Sequence, residues 1–265
     1  MRILIFHGYS LCGSGSNAYI AELTQGLVRQ GHDVQLLCQE RNPAEFDFVD
    51  AVGRWHDGRL RIERVRCPAH CTVYVPDIGG LLPVYVSGYF PGYQARLFPQ
   101  LTEAQVADYV AANTAAVRDV ISLAGPDYAL ANHLVMGPAI LARALPSRVP
   151  YAVRVHRSAL EHTVRPHVWR FGGYARQGLA TADVVLVGSG QMAEELWEVM
   201  RQPDLPARTR LLPPGAEFAA HRVRPPGNRG GSGDAYPDIP RLSLAGHRKQ
   251  YLQRRAGPVA GPARP

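Results

Sequence analysis

The chain has 265 residues, of which 46% are hydrophobic and 19% are charged, a composition that fits a globular protein and excludes a chain that is disordered throughout. Its formal net charge of +7 comes from the last segment, because residues 221–265 hold nine Arg or Lys residues and only two Asp residues. The first 220 residues carry twenty groups of each sign, so the body of the protein has no basic surplus to offer a nucleic acid.

The predicted elements begin with short β-branched runs that alternate with helical patterns, which is typical of a parallel α/β fold. Residues 3–6 form the first predicted strand. The helical spacing of Tyr19, Leu23 and Leu27 then predicts a helix that ends before Gly31. Residues 34–38 follow as a second strand. Residues 59–65 and 72–75 are predicted as hairpin strands after the turn at residues 56–58.

The second half of the chain continues this alternation. Thr102-Glu-Ala-Gln105 is a capping box that predicts the start of a long helix, which Gly125 and Pro126 end. Strands are predicted at residues 128–131, 151–155 and 184–187, with a last short strand running into a turn at 211–215. The helices between them are predicted at residues 138–144, 166–180 and 191–200. We therefore predict a Rossmann-like, doubly wound and mainly parallel sheet with helices on both faces.

The pattern ends near residue 221. Seven Pro and seven Gly residues fall in the last 45 residues, with almost no apolar periodicity. A segment of this composition cannot bury enough apolar surface to fold. We predict one domain at residues 1–220 and a disordered tail at residues 221–265.

Neither a secreted fold nor a membrane span is indicated. Four cysteines in a chain of this length do not suggest a disulfide-stabilised secreted protein, and Met1 leads directly into a strand without the features of a signal peptide. The longest uncharged run, residues 78–95, is broken by two Pro and four Gly residues. We predict a cytoplasmic protein, with peripheral attachment to the inner face of the membrane as an open alternative.

The loop after the first predicted strand has spaced glycines. Gly13, Gly15 and Ala18 fit the G-x-G-x-x-G/A fingerprint of dinucleotide-binding sites. However, six residues separate Phe6 from Gly13, whereas in a dinucleotide fold the first glycine follows the strand almost at once. The acidic partner is only loosely supplied, by Glu40. An anion-binding loop at a helix N-terminus fits better than a nicotinamide or flavin site, and a purely structural turn stays open.

Five stretches together resemble a known family: "SNAYIAELTQGLVRQGHDV", "ANHLVMGPAILARAL", "VPYAVRVHRSALEHT", "VVLVGSGQMAEEL" and "LLPPGAEF". Over roughly residues 1–220 the chain resembles the amino-terminal, acceptor-side half of family-4-type retaining glycosyltransferases, which have two Rossmann-like domains (the GT-B fold). The resemblance implies transfer of a sugar from a nucleotide-sugar donor to a sugar or lipid-linked acceptor. It implies no cofactor besides that donor substrate, and the balanced charge of residues 1–220 argues against a nucleic-acid partner.

The resemblance also implies roles for particular residues. In the family the glycine loop faces the donor phosphates and the acceptor, so Gly13, Gly15, Ser16 and Asn17 are predicted to bind substrate. Glycines allow backbone N–H groups to approach an anion, and the following helix adds its positive end. For Asn17, a role as helix cap only stays open.

Two histidines stand at the ends of successive predicted strands. His133 lies where ligands bind in open α/β sheets, and the resemblance places such a histidine near the transferred sugar, so it is the predicted catalytic residue. A hydrogen-bonded packing histidine is the alternative. His156 is predicted to line the acceptor pocket, or else to bond a loop carbonyl.

No metal site is predicted. Cys67, His70 and Cys71 lie within five residues, but no second ligand pair at zinc-site spacing occurs elsewhere.

The family also has a second domain, with a basic pair for the leaving diphosphate and paired glutamates for the donor. The residues after "LLPPGAEF" do not resemble it, so we hypothesise that the chain is truncated, for instance by a frameshift. A separate chain would then supply the donor half. Two alternatives stay open: a non-catalytic sugar- or acceptor-binding remnant, and a dinucleotide-dependent oxidoreductase in which Glu40 contacts ribose.

Overall fold

The computed structural model of the protein describes residues 1–88 and 90–213. The predicted tail, residues 221–265, lies outside the described residues, as does the end of the predicted segment 211–215. Among the helices of the described residues, none combines the length and the apolar composition that crossing a bilayer requires.

Eleven strands occur in the described part of the chain: β1 Arg2–Phe6, β2 Asp33–Leu37, β3 Ala51–His56, β4 Arg59–Arg64, β5 Cys71–Val75, β6 Leu81–Val84, β7 Gln94–Leu97, β8 Tyr128–Asn132, β9 Tyr151–Arg154, β10 Val184–Val187 and β11 Thr209–Leu211. Nine of them form one sheet in the order β11-β10-β9-β8-β1-β2-β5-β3-β4, and β6 pairs with β7. Every neighbouring pair is parallel except β3 with β4. The predicted mainly parallel sheet is confirmed.

Seven α-helices connect these strands within the described residues: α1 Gly15–Arg29, α2 Glu103–Ala124, α3 Gly137–Ala144, α4 Arg157–Ala159, α5 Val168–Ala180, α6 Gly190–Met200 and α7 Leu205–Arg208. A π-helical segment, Leu160–Val164, follows α4 directly, and short 3-10 turns lie at Pro43–Glu45 and Phe98–Gln100. The predicted capping box opens α2: the Thr102 hydroxyl accepts from the Gln105 amide, and the Gln105 side chain accepts from the Thr102 amide. Gly125 ends the helix in the left-handed conformation at φ 54°.

Helices cover both faces of the large sheet, because its strands are apolar on both sides. Successive residues of a strand point to opposite faces, and β1 shows the result. Ile3 and Ile5 pack in one buried cluster with Ile20 of α1. Leu4 and Phe6 pack in another that contains the buried faces of α2, α3 and α5. Two cores, one on each face, are the doubly wound arrangement that the sequence predicted.

One predicted pairing is wrong. The hairpin joins β3 to β4, with Arg54 opposite Arg61, and does not join residues 59–65 to residues 72–75. Asp57 and Gly58 both have positive φ, at 51° and 71°, as a two-residue hairpin turn requires. Such a turn must have strands on both of its sides, so the segment before it is the partner of β4. The strand β5 instead lies parallel between β2 and β3.

The order of the strands brings the histidines that follow β1, β8 and β9 to one edge of the sheet. On either side of β1 lie β2 and β8, so the crossover connections leave in opposite directions there, and ligands bind at such switch points. The residues that follow β1, β8 and β9 are His7, His133 and Val155 with His156. The fold therefore places these histidines at one edge of the sheet.

Candidate functional site

A cleft of about 1320 Å³ opens at the carboxyl ends of the central strands. Its walls come from the loop before α1, the segment after β2, the segment around β6, and the ends of β8 and β9. The six residues that the sequence predicted for catalysis or substrate binding all line this one cleft: Gly13, Gly15, Ser16, Asn17, His133 and His156.

The glycine loop presents the amino end of α1 to the cleft. Ser14 is the N-cap, and its hydroxyl accepts from the Asn17 amide. Gly13 has φ 97°, which glycine tolerates readily. A Cβ added at Gly13 or Gly15 would meet no atom within 4 Å, so the space above the loop is open. The first amides of a helix have no intrahelical acceptor, and here a ligand in the cleft could accept from them.

Asn17 does not cap the helix, which corrects one of the two interpretations of that residue. Its side chain is buried and folds back under the loop. The amide nitrogen Nδ2 donates to the carbonyl of Cys12 at 2.5 Å and to the hydroxyl of Ser10 at 3.3 Å. The oxygen Oδ1 accepts from Nε2 of His7 at 3.1 Å. Asn17 therefore holds the loop in shape from below.

A continuous hydrogen-bonded chain connects the loop to the far wall of the cleft. Nδ2 of Asn132 lies 2.8 Å from Nδ1 of His7, and Oδ1 of Asn132 lies 2.7 Å from Nε2 of His156. Because an amide nitrogen only donates and an amide oxygen only accepts, His7 carries its proton on Nε2 and His156 also carries its proton on Nε2. Asn17, His7, Asn132 and His156 thus form one network of mutually compatible donors and acceptors, which we call the cleft relay.

Both histidines of the cleft relay are held neutral. Burial lowers the pKa of His7 to about 4, despite the hydrogen bonds with Ser10 and Asn17, which raise it. Burial, with a smaller contribution from the charge of Arg154, lowers the pKa of His156 to about 3. At neutral pH each ring therefore offers one donor and one acceptor.

His133 is one of the residues that line the cleft. It has φ 70°, an uncommon conformation outside glycine, and is 2% exposed. Its ring centroid lies 4.6 Å from that of Tyr85 and 4.9 Å from that of His156. Neither ring nitrogen has a hydrogen-bond partner among the described residues, so the hydrogen bond of a packing histidine is not observed. Burial, then the neighbouring His156 and His7, hold the pKa of His133 well below its ordinary value.

Glu40 is engaged by the backbone of the loops. Its Oε2 accepts from the amide of Leu11 at 2.9 Å, and its Oε1 accepts from the amides of Arg41 and Asn42. The carboxylate therefore fixes the glycine loop against the segment after β2. These three bonds use most of the acceptor capacity of the carboxylate, which weakens the dinucleotide interpretation.

The potential metal ligands do not converge. Cys67 is exposed, Cys71 is buried in β5, and Nδ1 of His70 bonds the carboxylate of Asp33 at 2.9 Å. In the part of the chain that the structure describes, no group of three His, Cys, Asp or Glu side chains is placed to hold a metal ion.

Sequence reasoning missed Arg154, which lines the cleft, and two buried polar residues beside it, His7 and Asn132. His7 and Asn132 stand at the carboxyl ends of β1 and β8, so the strand-end argument that found His133 and His156 applies to them as well. Arg154 ends β9, where a charged residue in an apolar run was the available signal. Its guanidinium is buried and lies over the ring of Tyr19, 5.2 Å from the centroid.

Fold and cleft together define a doubly wound α/β domain with a ligand cleft at the carboxyl edge of its sheet. The model of the glycosyl transferase 4-like domain family matches residues 14–215. The chain belongs to this family, and the predicted resemblance is confirmed. No curated protein sequence matches the chain.

Several solved structures are similar. Sucrose-phosphate synthase from Thermosynechococcus elongatus is 17% identical with a TM-score of 0.49, and the match covers 82% of this chain and 49% of that one. A putative UDP-N-acetylglucosamine 2-epimerase from Listeria monocytogenes is 13% identical with a TM-score of 0.44, over 78% and 44% of the two chains. UDP-GlcNAc 2-epimerase from Methanocaldococcus jannaschii is 7% identical with a TM-score of 0.42, and the match covers 80% of this chain and 45% of that one. The chain spans about half the length of these structures.

Proposed function

We propose that the described residues form the acceptor-side half of a glycosyltransferase cleft, which acts in the retaining transfer of a sugar from a nucleotide-sugar donor to a sugar or lipid-linked acceptor. The observation that carries this proposal is the state of His133 in a chain of the glycosyl transferase 4-like family. Its buried ring lines the cleft with both nitrogens unpaired. Buried polar atoms normally have partners, so the missing partner is assigned to the substrate.

A sugar hydroxyl is a suitable partner for this ring. A neutral imidazole has one N–H donor and one acceptor nitrogen, and a hydroxyl group both donates and accepts. The low pKa of His133 keeps the ring in this form at neutral pH. In this proposal His133 contacts the transferred sugar and orients it, while His156, which faces the same cleft, contacts the acceptor.

The glycine loop is assigned to the phosphates of the donor. The positive end of α1 and the free amides of its first turn attract an anion, and the glycines leave the space above them open. Gly13, Gly15 and Ser16 are the residues of this contact. Asn17 supports it from below through the carbonyl of Cys12.

We further propose that the rest of the donor site comes from a partner polypeptide. Of the described residues that line the cleft, Glu40 is the one carboxylate, and three backbone amides occupy it. We therefore assign the carboxylate that binds the donor ribose or sugar to this partner.

The test is a transfer assay with the full chain, alone and mixed with the purified products of neighbouring genes. Labelled nucleotide sugars serve as donors, a glycan and lipid extract provides acceptors, and NMR of the product reports the anomeric configuration. His133→Asn keeps a residue that tolerates positive φ and shortens the reach to the sugar. We expect its transfer rate to fall about five- to tenfold, since one lost hydrogen bond is worth about 1–1.5 kcal/mol. The control, His56→Asn, changes an exposed residue of the β3–β4 turn.

A second function also fits a cleft whose one described carboxylate, Glu40, is hydrogen-bonded to the backbone. In this second function the domain binds a saccharide and transfers no sugar. In this case no mixture shows transfer, yet calorimetry with saccharide acceptors gives binding that His133→Asn weakens and His56→Asn leaves intact. Inversion of the anomeric configuration would contradict the retaining mechanism alone. Equal transfer by wild type and His133→Asn would contradict the role of His133.

The place of action is proposed to be the cytoplasm, with attachment to a membrane face when the acceptor is lipid-linked. Apolar groups at the cleft support a lipid-linked acceptor, because Val86 is 48% exposed and lines the cleft together with Phe90 and Pro91. Cosedimentation of the full chain with anionic vesicles tests the attachment. Val86→Ser should reduce the bound fraction, whereas Val65→Ser, at an exposed site after β4, should not.

A further inference from the structure

Arg154 is the only Lys, Arg, Asp or Glu side chain among the buried described residues. It is 3% exposed and ends β9, at the edge of the sheet where the cleft lies. An arginine keeps its proton in a protein interior, so this position carries a full positive charge in the wall of the cleft.

The charge has no counter-charge among the described residues. Nη1 donates to the carbonyl of Leu212, whereas Nε is buried without a partner. Its neighbour in the chain, Arg157, shows the contrast: its Nη1 lies 3.5 Å from the carboxylate of Glu161 and 3.4 Å from that of Glu195. A buried charge is costly unless it is paired, so an unpaired one at a cleft indicates a missing anion.

The surroundings of Arg154 suit an anion. The guanidinium lies over the ring of Tyr19, which stands on α1 one turn after its start. Gly15 and Ser16 precede Tyr19 by four and three residues and therefore share its side of the helix. The ring of His156 contacts Tyr19 at a centroid distance of 5.8 Å. The guanidinium, the amino end of the helix and the imidazole all line one cleft.

We propose that Arg154 and the amino end of α1 form an anion subsite that binds a phosphate group of the substrate. This subsite deepens the proposed function and rests on it for the identity of the substrate. A guanidinium can donate two parallel hydrogen bonds to a phosphate, and the helix end adds a second positive pole. The phosphate belongs either to the donor diphosphate or to a phosphorylated acceptor.

His156 reports on the subsite. The charge of Arg154 contributes to the low pKa of His156, so a bound phosphate must raise that pKa. The ring resonances of His156 in an NMR titration therefore give a local signal of anion binding, which His156→Asn identifies by its absence.

The experiment titrates the full chain with inorganic phosphate at constant ionic strength and pH. We expect a saturable shift of the His156 resonances for wild type and for Arg61→Met, an exposed arginine of β4. Arg154→Met retains the length of the side chain and removes the charge, and we expect its phosphate affinity to fall at least tenfold. Its melting temperature without phosphate should equal or exceed that of wild type, because no unpaired charge is then buried. Equal phosphate affinity in Arg154→Met would overturn the subsite.

If Arg154→Met does not fold, the titration of the wild-type protein alone still tests whether the phosphate subsite exists. The absence of any saturable shift of His156 up to about 100 mM phosphate, roughly a hundredfold above a millimolar dissociation constant, would overturn the subsite. Titration with chloride in place of phosphate provides the salt control.

Three further ligands identify the source of the phosphate. Uridine diphosphate that binds more tightly than inorganic phosphate assigns the subsite to the donor. Glucose 6-phosphate that binds more tightly than inorganic phosphate assigns it to the acceptor. Glucose, which has no phosphate, should give no signal that depends on Arg154. The two proposals fail separately. Arg154-dependent phosphate binding without sugar transfer contradicts the proposed function alone, and transfer that is equal in wild type and Arg154→Met contradicts the subsite alone.

Discussion

At the scale of single residues, the cleft relay depends on the amide of Asn132. This side chain is 1% exposed and is the common partner of His7 and His156. Its orientation sets the tautomer of both rings, since only one assignment satisfies all donors and acceptors. These buried polar groups beside the cleft therefore have their hydrogen bonds in place before any ligand binds.

Replacing the side-chain amide of Asn132 should lower the stability of the fold. Asn132→Leu leaves the facing nitrogens of His7 and His156 without partners in a buried setting, so we expect the free energy of unfolding to fall by about 2–4 kcal/mol. Urea denaturation of wild type and variant measures this loss. The matched control is Asn113→Leu, because Asn113 is also fully buried but bonds only the carbonyl of Tyr109, and its Oδ1 has no partner. A loss no greater than that of the control would contradict the relay.

The low pKa values of the relay histidines predict that acid destabilises the protein. In the unfolded chain a histidine titrates near its ordinary value of 6.5, whereas in the fold the pKa of His7 is about 4 and that of His156 about 3. As pH falls below 6.5 the unfolded state binds protons that the folded state does not. Stability is therefore fully present above pH 6.5 and is lost between pH 6.5 and about 3, at about 1.4 kcal/mol per pH unit for each histidine.

Urea denaturation at pH 7, 6 and 5 measures this slope. His7→Gln removes one of the titrating groups, so its free energy of unfolding should fall less steeply with pH than that of wild type, whatever its value at pH 7. Parallel profiles for the two proteins would show that His7 is not held neutral by the fold.

At the scale of elements, α3 and α5 pack closely enough that only glycine fits between them. A Cβ on Gly178 of α5 would lie 2.3 Å from Cβ of Pro138 and 2.6 Å from the amide nitrogen of Ala139. Both neighbours belong to α3, whose backbone cannot move without disturbing β8. The absence of a side chain at Gly178 therefore allows the buried face of α5 to pack directly against the backbone of α3.

Two alanine variants of the same helix separate packing from helix propensity. Gly178→Ala should destabilise the fold by about 1–3 kcal/mol, because it overpacks the contact with α3. Gly173→Ala, at an exposed site where an added Cβ meets nothing within 4 Å, should stabilise it by about 0.5–1 kcal/mol. Thermal denaturation of both variants gives the comparison. A neutral Gly178→Ala would contradict the packing of α3 on α5, and a destabilising Gly173→Ala would contradict the expected gain from helix propensity.

At the scale of the whole molecule, the described residues offer a nucleotide sugar few contacts. The loop amides and the helix end are worth about 1–3 kcal/mol together, and hydrogen bonds from the charged Arg154 add about 1.5–3 kcal/mol. A micromolar dissociation constant requires about 8 kcal/mol. We therefore expect calorimetry of the full chain with common nucleotide sugars to show no site of micromolar affinity.

A micromolar constant would contradict the assignment of only half of the cleft to these residues. In that event Gly15→Val locates the site, because its side chain would fill the open space above the loop. Gly26 lies on the same helix and is equally free of neighbours, so Gly26→Val controls for the effect of a valine on the helix.

The sequence by itself determined the local structure and the class of fold. The alternation of strands and helices, the capping box of α2, the glycine end of that helix and the edge to which His133 and His156 belong all follow from residues close together in the chain. They were predictable because helix caps, strand periodicity and the carboxyl ends of parallel strands have fixed geometric meaning. The family resemblance likewise rests on local stretches.

Only the tertiary structure decided which distant residues meet. It paired β3 with β4, placed β5 between β2 and β3, and formed the small sheet of β6 and β7. It also joined His7 to Asn132, which lie 125 positions apart, and buried Arg154 where no described carboxylate reaches it. A residue's charge and hydrogen-bonding groups are written in the sequence, but whether they find a partner depends on packing between segments that no local pattern relates.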